Sequence, residues 1–272
     1  MSERRTVLIT GVSSGIGRAT ARLLAERSYS VFGGSRNPSS AGTVPGVEVL
    51  PLDVCSDESV RECIDTLLAK AARLDILVNN AGYALRGALE ETTIQQAKAQ
   101  FETNLFGVSR MVKGVLPIMR RQGTGQIVNV SSAAGICPLP FVGFYSASKF
   151  ALEGYTEALR HEAMPFKIKV SLVEPGAVKT QFWENQQEAS DRVSDYDPWR
   201  QRLTEMRQQF HQKAIEPIAV AQTILKILES ESPKLRYTVG NDAARIVRMR
   251  RLMPAGMFEK GMRRNLRLDV ER

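Results

Sequence analysis

The sequence predicts an α/β fold, a doubly wound parallel sheet flanked by helices. Three observations carry that expectation. Short runs rich in Val, Ile and Leu recur along the first two-thirds of the chain. Several of them lack in/out alternation, as strands buried on both faces of a parallel sheet do. Helical patterns lie between the runs, so strand, helix and strand repeat at the spacing of a wound sheet.

The strands are expected at Thr6–Thr10, Val31–Gly34, Val47–Pro51, Ile76–Asn79, Gln126–Val130 and Lys169–Val173. The helices are expected at Gly15–Arg27, Glu58–Ala71, Ile94–Arg121 and Tyr145–Ala163. Asp57 is the expected cap of the second helix, and Pro165 follows the last. No repeat or low-complexity linker divides the chain, so residues 1–240 read as one unit and 241–272 as a C-terminal helical extension. The segment Gln181–Lys213 breaks the alternation, is polar, and holds both tryptophans, Trp183 and Trp199. It follows a strand at the end where open α/β sheets bind ligands, which makes it a candidate helical lid. A surface excursion whose aromatics pack on the body is the alternative.

At 272 residues, 43% hydrophobic and 24% charged, the chain has ordinary globular usage, not that of a disordered tail, a collagen or a coiled coil. No apolar run is long enough to span a bilayer, and the apolar run near the N-terminus is too short for a signal peptide. A cytoplasmic protein is the expectation. Cys55, Cys63 and Cys137 are odd in number and scattered, and only His161 and His211 are present, so neither a disulfide framework nor a metal site is expected. The net charge of +8 sits almost entirely between Arg245 and Arg267, where seven arginines and Lys260 face one acid, Glu259. That distribution disfavours a nucleic-acid binder, whose basic surface would belong to the body.

Residues 6–17 read TVLITGVSSGIG. An apolar strand runs into Gly11, and a helix opens near Gly15. Such a turn lets backbone approach a pyrophosphate, and the amides and dipole of the helix start favour the anion. Ser13 and Ser14 add hydroxyl donors, and Ile16 lies between the last two glycines. The spacing of Gly11, Gly15 and Gly17 is T-G-x-x-x-G-x-G, not the common dinucleotide fingerprint. Further along come Asn79-Asn80-Ala81-Gly82, Asn104, Ser132, Tyr145-x-x-x-Lys149, and Pro175-Gly176 with Val178 and Thr180. In this order the motifs resemble those of the short-chain dehydrogenase/reductase family in its non-extended form, over about residues 5–240. The resemblance implies a Rossmann fold, a nicotinamide dinucleotide, and reversible hydride transfer between that cofactor and a carbonyl or secondary alcohol.

The second strand ends Gly33-Gly34-Ser35-Arg36. An acid there would accept bonds from the adenosine ribose and repel a 2′-phosphate. Ser35 and Arg36 stand in its place, and arginine pairs phosphate with a bidentate, charge-assisted contact, so NADP(H) is expected over NAD(H). A solvated surface arginine is the plain alternative. The resemblance also puts Asp53 and Val54 beside the adenine, Asn80, Ala81 and Gly82 behind the ribose, and Pro175, Gly176, Val178 and Thr180 around the nicotinamide.

Tyr145 and Lys149 are four positions apart on a predicted helix and share a face. A free phenol titrates at about 10, and a nearby ammonium lowers that value toward neutrality. The strand GQIVNVSS ends in Ser131 and Ser132, and 12 residues separate Ser132 from Tyr145, enough to return the chain to the same rim. The resemblance makes Tyr145 the general acid/base and Ser132 the group that steadies the substrate oxygen. It makes Lys149 a ribose ligand, and Asn104 the holder of a water that links Lys149 to solvent. Asn104, Tyr145 and Lys149 thus also border the cofactor, while Ser131 is expected to point elsewhere.

The stretch Gly135–Phe144 is apolar and Pro-rich. Its Phe141 and Phe144, with Tyr83, Leu85, Phe182 and Trp183, are candidates to wall a lipophilic pocket; ordinary loop packing is the alternative. Within the family, the long segment after Thr180 and the tail resemble hydroxysteroid and retinol dehydrogenases and acyl-dihydroxyacetone-phosphate reductases. That implies a lipophilic ketone or alcohol, and small folds of the family often form homo-oligomers through the catalytic helix. The tail mixes Arg with Ile, Val, Met, Leu and Phe, a pattern that suits packing, a dimer contact or an anionic membrane surface. Two other readings of the whole stay open: an NADP(H)-sensing binding protein of the same fold, and a lipid-surface protein dominated by its tail. The intact Asn104, Ser132, Tyr145 and Lys149 set disfavours the first, because binding alone needs no proton donor.

Overall fold

The computed structural model describes residues 4–39, 42–182 and 186–266, with the backbone alone over 207–211. Among them, a sheet of parallel strands is ordered β3-β2-β1-β4-β6-β7-β9, with β1 at Thr6–Thr10, β2 at Ser30–Ser35, β3 at Val47–Pro51, β4 at Ile76–Asn79, β6 at Gly125–Val130, β7 at Ile168–Pro175 and β9 at Arg236–Val239. A two-residue strand, β5 (Leu85–Arg86), lies outside this sheet. The wound α/β sheet is therefore the fold that the pattern of apolar runs implied.

Helices cover both faces of the sheet. Leu8 of β1 packs in one core with α2 (Asp57–Ala71), α4 (Gly107–Gln122) and α5 (Gly143–Ala163). Its neighbours Val7 and Ile9 point to the other core, with α1 (Gly15–Glu26) and α7 (Pro217–Glu229). This is the period-two alternation of a strand, with both sides apolar because both are covered.

The six expected strands all form, with ends shifted by at most two residues. β9 escaped the sequence pattern. It is an edge strand, RYTV, of which only Val239 is fully buried, so it lacks the apolar run of an inner strand. Two details of the helices also differ. Ser56, not Asp57, caps α2: its extended backbone lets its hydroxyl accept from the Ser59 amide at 3.2 Å, and Asp57 is the first helical residue. The long helix expected at 94–121 is α3 (Ile94–Phe101), one π-helical turn over Glu102–Phe106, and α4.

The insertion after β7 is only partly helical. A short strand, β8 (Gln187–Glu188), pairs in parallel with β5, and α6 (Asp197–Gln212) follows. At its base the insertion is pinched by a bridge between Val178 and Ile215. At its far end Glu91 fastens it. This carboxylate accepts from the amides of Ala88 and Val193, at 2.8 and 2.9 Å, and pairs with Arg200. Burial alone would raise the Glu91 pKa, but those amides and the guanidinium outweigh it and hold the group below its usual range. Gln96 adds a second tie, donating to the Glu188 carbonyl at 3.0 Å and accepting from Ser190. The chain then continues past β9 into α8 (Asn241–Leu252) and α9 (Ala255–Asn265).

Candidate active site

The turn between β1 and α1 is built from backbone. Gly11 turns at φ +73°, and the amides of Gly11 and Val12 donate to the Gly34 carbonyl at 2.9 and 3.2 Å. Gly17 lies so close beneath the turn that a Cβ would come within 2.2 Å of the Gly11 carbonyl oxygen. Gly15, at φ +56°, faces the Thr180 side chain. Ile16 packs against the core on this side of the sheet, and Ser13 is exposed. Ser14 precedes the helix in extended conformation with no side-chain cap bond. The first amides of α1 are thus left for an outside acceptor, and a pyrophosphate fits there.

Asn80 braces this turn. Its side-chain amide donates to the carbonyls of Thr10 and Gly11, each at 3.0 Å. The Ala81 amide donates to the Thr10 hydroxyl at 2.9 Å, and Gly82 leaves 3.0 Å between a notional Cβ and Asn104 Oδ1. At the end of β2, Ser35 is buried and bonded to Asn37, whereas Arg36 is exposed. Asp53 holds the Cys55 amide at 2.9 Å, and Val54 packs against Gly107. Pro175 ends β7, the Gly176 amide donates to the Val239 carbonyl at 2.9 Å, and Thr180 accepts from the Phe182 amide.

The chemical residues meet at the carboxyl ends of β4 and β6. Ser132 follows β6 and begins a short 3₁₀ turn, accepting from the Ala134 amide at 3.1 Å. Tyr145 and Lys149 are both buried on α5. The Lys149 ammonium donates to the Val130 carbonyl at 2.9 Å and lies 5.9 Å from the centre of the Tyr145 ring. Asn104, fully buried, sits in the π-helical turn. Its Nδ2 donates to the Tyr83 carbonyl and the Ser148 hydroxyl, and its Oδ1 accepts from the Tyr83 amide. A π turn adds one residue to the helix locally and re-aims a side chain, so Asn104 is more than a tolerated polar residue.

The electrostatics correct one expectation. Burial pushes the Tyr145 phenol up to about 12, with hydrogen bonding to Ser132 pulling the other way. Burial also pushes Lys149 down to about 8, partly opposed by Glu153. Desolvation is the largest cause for both groups, and the phenol shifts upward where the spacing implied a lowering. The lysine lies against the ring and spends a proton on a backbone carbonyl.

Glu153, one helical turn beyond Lys149, was not singled out from sequence. Its place in the row Tyr145, Lys149, Glu153 was the available signal. It accepts from Arg236 Nε at 3.1 Å, and burial pushes it up to about 7. Ser131 turns away from Tyr145 toward this glutamate: Gly135 leaves a notional Cβ 2.9 Å from Ser131 Oγ and 3.2 Å from Glu153 Cγ.

Tyr145 is set in apolar company. Ala84, Ala134 and Val142 surround it, with Leu139 and Phe182 against them. The Phe182 and Tyr145 ring centres are 5.8 Å apart. Tyr83 and Phe144 are half-buried near this group in the chain, and Leu85 is buried. Phe141 meets the insertion. It adopts φ +61°, and its ring meets Tyr196 edge-on at 5.9 Å with the Arg200 guanidinium over it, so it anchors the insertion. Trp183 lies outside the described residues. Among those described, no group of His, Cys, Asp and Glu is arranged to hold a metal ion.

The family model described as short chain dehydrogenase matches residues 5–191. The chain belongs to the short-chain dehydrogenase family. It is 41% identical over 236 residues to a 3-ketodihydrosphingosine reductase of Bacteroides thetaiotaomicron, covering 86% of this chain and 87% of that one. It is 38% identical over 272 residues to retinol dehydrogenase 8 of Bos taurus, covering 93% and 86%. A solved short-chain dehydrogenase of Streptomyces avermitilis superposes with a TM-score of 0.83 at 32% identity, over 100% of both chains. Other solved neighbours of similar fold hold NADP or NAD. The protein is thus an oxidoreductase of a family that acts on small molecules.

Proposed function

We propose that the protein is an NADP(H)-dependent oxidoreductase that interconverts a lipophilic ketone and its secondary alcohol. The observation that carries this reading is the meeting of Tyr145, Lys149, Ser132 and Asn104 at one rim, beside an uncapped helix start and a glycine turn fitted to a pyrophosphate. The dinucleotide would lie along Gly11–Gly17, Asp53, Val54, Asn80, Ala81, Gly82 and Pro175–Thr180, and when bound it supplies or takes the hydride. Ser132 holds the substrate oxygen. Tyr145 gives that oxygen its proton in reduction and takes it back in oxidation. Lys149 steadies the ribose and, with the water-holding Asn104, passes the replacement proton from solvent. A buried phenol near 12 is a poor base but a competent donor to an alkoxide. An ammonium brought to its hydroxyl side by the ribose is what would lower it for the reverse direction.

Arg36 supports NADP(H): it is exposed at the end of β2, where an acid is absent and Ser35 is already bonded to Asn37. The apolar group around Tyr145 supports a lipophilic substrate, and the two relatives are named for a ketosphingoid base and for retinol. The catalytic unit is placed at residues 1–240 with a substrate-side insertion at 181–213, and further copies of the chain would pair through α5. A screen of NADPH oxidation over steroid, retinoid and acyl-chain ketones tests the reading. Turnover of at least one class is expected, and NADPH binding without turnover of any would leave a cofactor-sensing protein in its place.

A further inference from the structure

The extension after β9 is a helical hairpin with an unusual tip. Ala243 and Val247 bury one side of α8, and Phe258 of α9 and Leu266 after it are buried as well, with the Arg250 guanidinium 5.3 Å from the Phe258 ring centre. From the end of α8 into the first turn of α9 runs Leu252-Met253-Pro254-Ala255-Gly256-Met257, six residues without a charge. Leu252 is 71% exposed and Met257 60%, although buried positions for apolar groups exist on either side. A shallow cleft lined by Ala244, Arg245, Arg248, Met249, Leu252 and Met253 runs back from this tip. Exposed cations flank it: Arg248, Arg250 and Arg251 before, Lys260, Arg263 and Arg264 after. The one acid over 243–266, Glu259, is paired with Arg263 at 3.2 Å.

We infer that the α8–α9 hairpin docks on an anionic lipid bilayer, with Leu252 and Met257 entering the headgroup boundary and the flanking arginines on the lipid phosphates. Charge complementarity selects this occupant. A second copy of the chain would set two cationic faces against each other. A nucleic acid would satisfy the arginines but leave Leu252 and Met257 against water or phosphate, whereas a bilayer surface offers anions and hydrocarbon at the depths where this tip carries cations and apolar side chains. Among the described residues no helix is long and apolar enough to cross a membrane, so the contact is one of lying on the surface. The hairpin is also joined to the proposed active site. Asp242, in the first turn of α8, accepts from the Ala177 amide at 2.9 Å and packs over Gly176, in the loop assigned above to the nicotinamide. A docked tip therefore holds the body, and its apolar pocket, in a fixed orientation near the bilayer.

The test is flotation of the full chain with vesicles of phosphatidylcholine alone and of phosphatidylcholine with phosphatidylglycerol, at low and high salt. Binding to the anionic vesicles is expected, weakened by salt and nearly absent with the neutral ones. The double variant Leu252→Asp and Met257→Asp should lose roughly tenfold or more of that binding, and Arg263→Gln with Arg264→Gln a smaller share. Both pairs lie at the surface, so unchanged melting curves and NADPH binding are the control for folding. Failure of the wild type to float with anionic vesicles overturns the inference. So does equal flotation of the Asp variant, which would reduce the contact to charge alone. Preference for duplex DNA over vesicles, or a dimer that dissociates in the Asp variant, assigns the tip to another occupant and overturns it as well. None of these outcomes depends on the proposed enzymatic activity.

Discussion

The glycine turn after β1 and the insertion after β7 border the same rim but are held by different means. The turn is fixed through its backbone: amides of Gly11 and Val12 on the Gly34 carbonyl, Gly17 against the Gly11 carbonyl, and the Asn80 side-chain amide on the carbonyls of Thr10 and Gly11. The insertion pairs its backbone at β8 and at its Val178–Ile215 base, and it is fastened further by side chains distant in sequence, with Glu91 reaching Arg200 and Gln96 reaching Ser190. Close backbone packing tolerates almost no substitution at the packed positions. Side-chain fastening permits the opposite: the segment can vary freely, provided a few anchors persist. A site built this way can keep one cofactor while its substrate side diverges.

Breaking the insertion's anchor should have the largest effect. Glu91→Ala takes the acceptor from the buried Ala88 amide, the part-buried Val193 amide and one side of the Arg200 guanidinium, whose other side keeps Asp197, and removing one member of a buried pair costs about 3–5 kcal/mol. Urea unfolding should show the loss and limited proteolysis should cut within 186–213, with NADPH affinity unchanged; a parallel fall in NADPH affinity would make the two regions one unit. Next comes Glu153, beside Ser131 and bonded to Arg236 of β9. Its folded pKa is raised to about 7, so its contribution is full below the unfolded value and is lost as pH rises through 7. The stability of the wild type relative to Glu153→Gln should therefore fall, on the order of 3 kcal/mol, between acid and mildly alkaline pH. A flat difference in melting temperature across that range would show that Arg236 keeps the carboxylate charged in the folded chain.

Smaller effects test the backbone side. Gly17→Ala forces the turn open at a cost of ~1–3 kcal/mol, and fluorescence titration should show NADPH affinity lost while the insertion resists protease as before. Arg36→Ala should weaken NADPH by roughly 10–100-fold, the worth of charge-assisted bonds to one phosphate, and leave NADH unchanged. Equal changes for both cofactors would make Arg36 a surface residue.

The same contrast explains what was legible in the sequence. Inner strands and the glycine turn are written locally, in apolar runs and in the spacing of Gly11, Gly15 and Gly17. The shared face of Tyr145 and Lys149 follows from helical periodicity, while their pairing as a site rested on the upstream strand ending in Ser131 and Ser132 and on the family resemblance. The clamp from Glu91 to Arg200 joins residues more than a hundred positions apart, and no local pattern announces it. The π turn at Asn104 depends on Tyr83 and Ser148 as partners, which appear only on folding. The direction of the Tyr145 shift was misjudged for a related reason: spacing brought the lysine near, but burial, a property of the whole core, decided the sign.

The central claim is that the Tyr145 hydroxyl carries the proton in hydride transfer. Tyr145→Phe, assayed with NADPH and the best ketone from the screen, removes that hydroxyl and little else. The account predicts wild-type NADPH affinity with turnover lower by roughly 10²–10⁴-fold. Turnover within a few-fold of wild type, at equal NADPH occupancy, would contradict it.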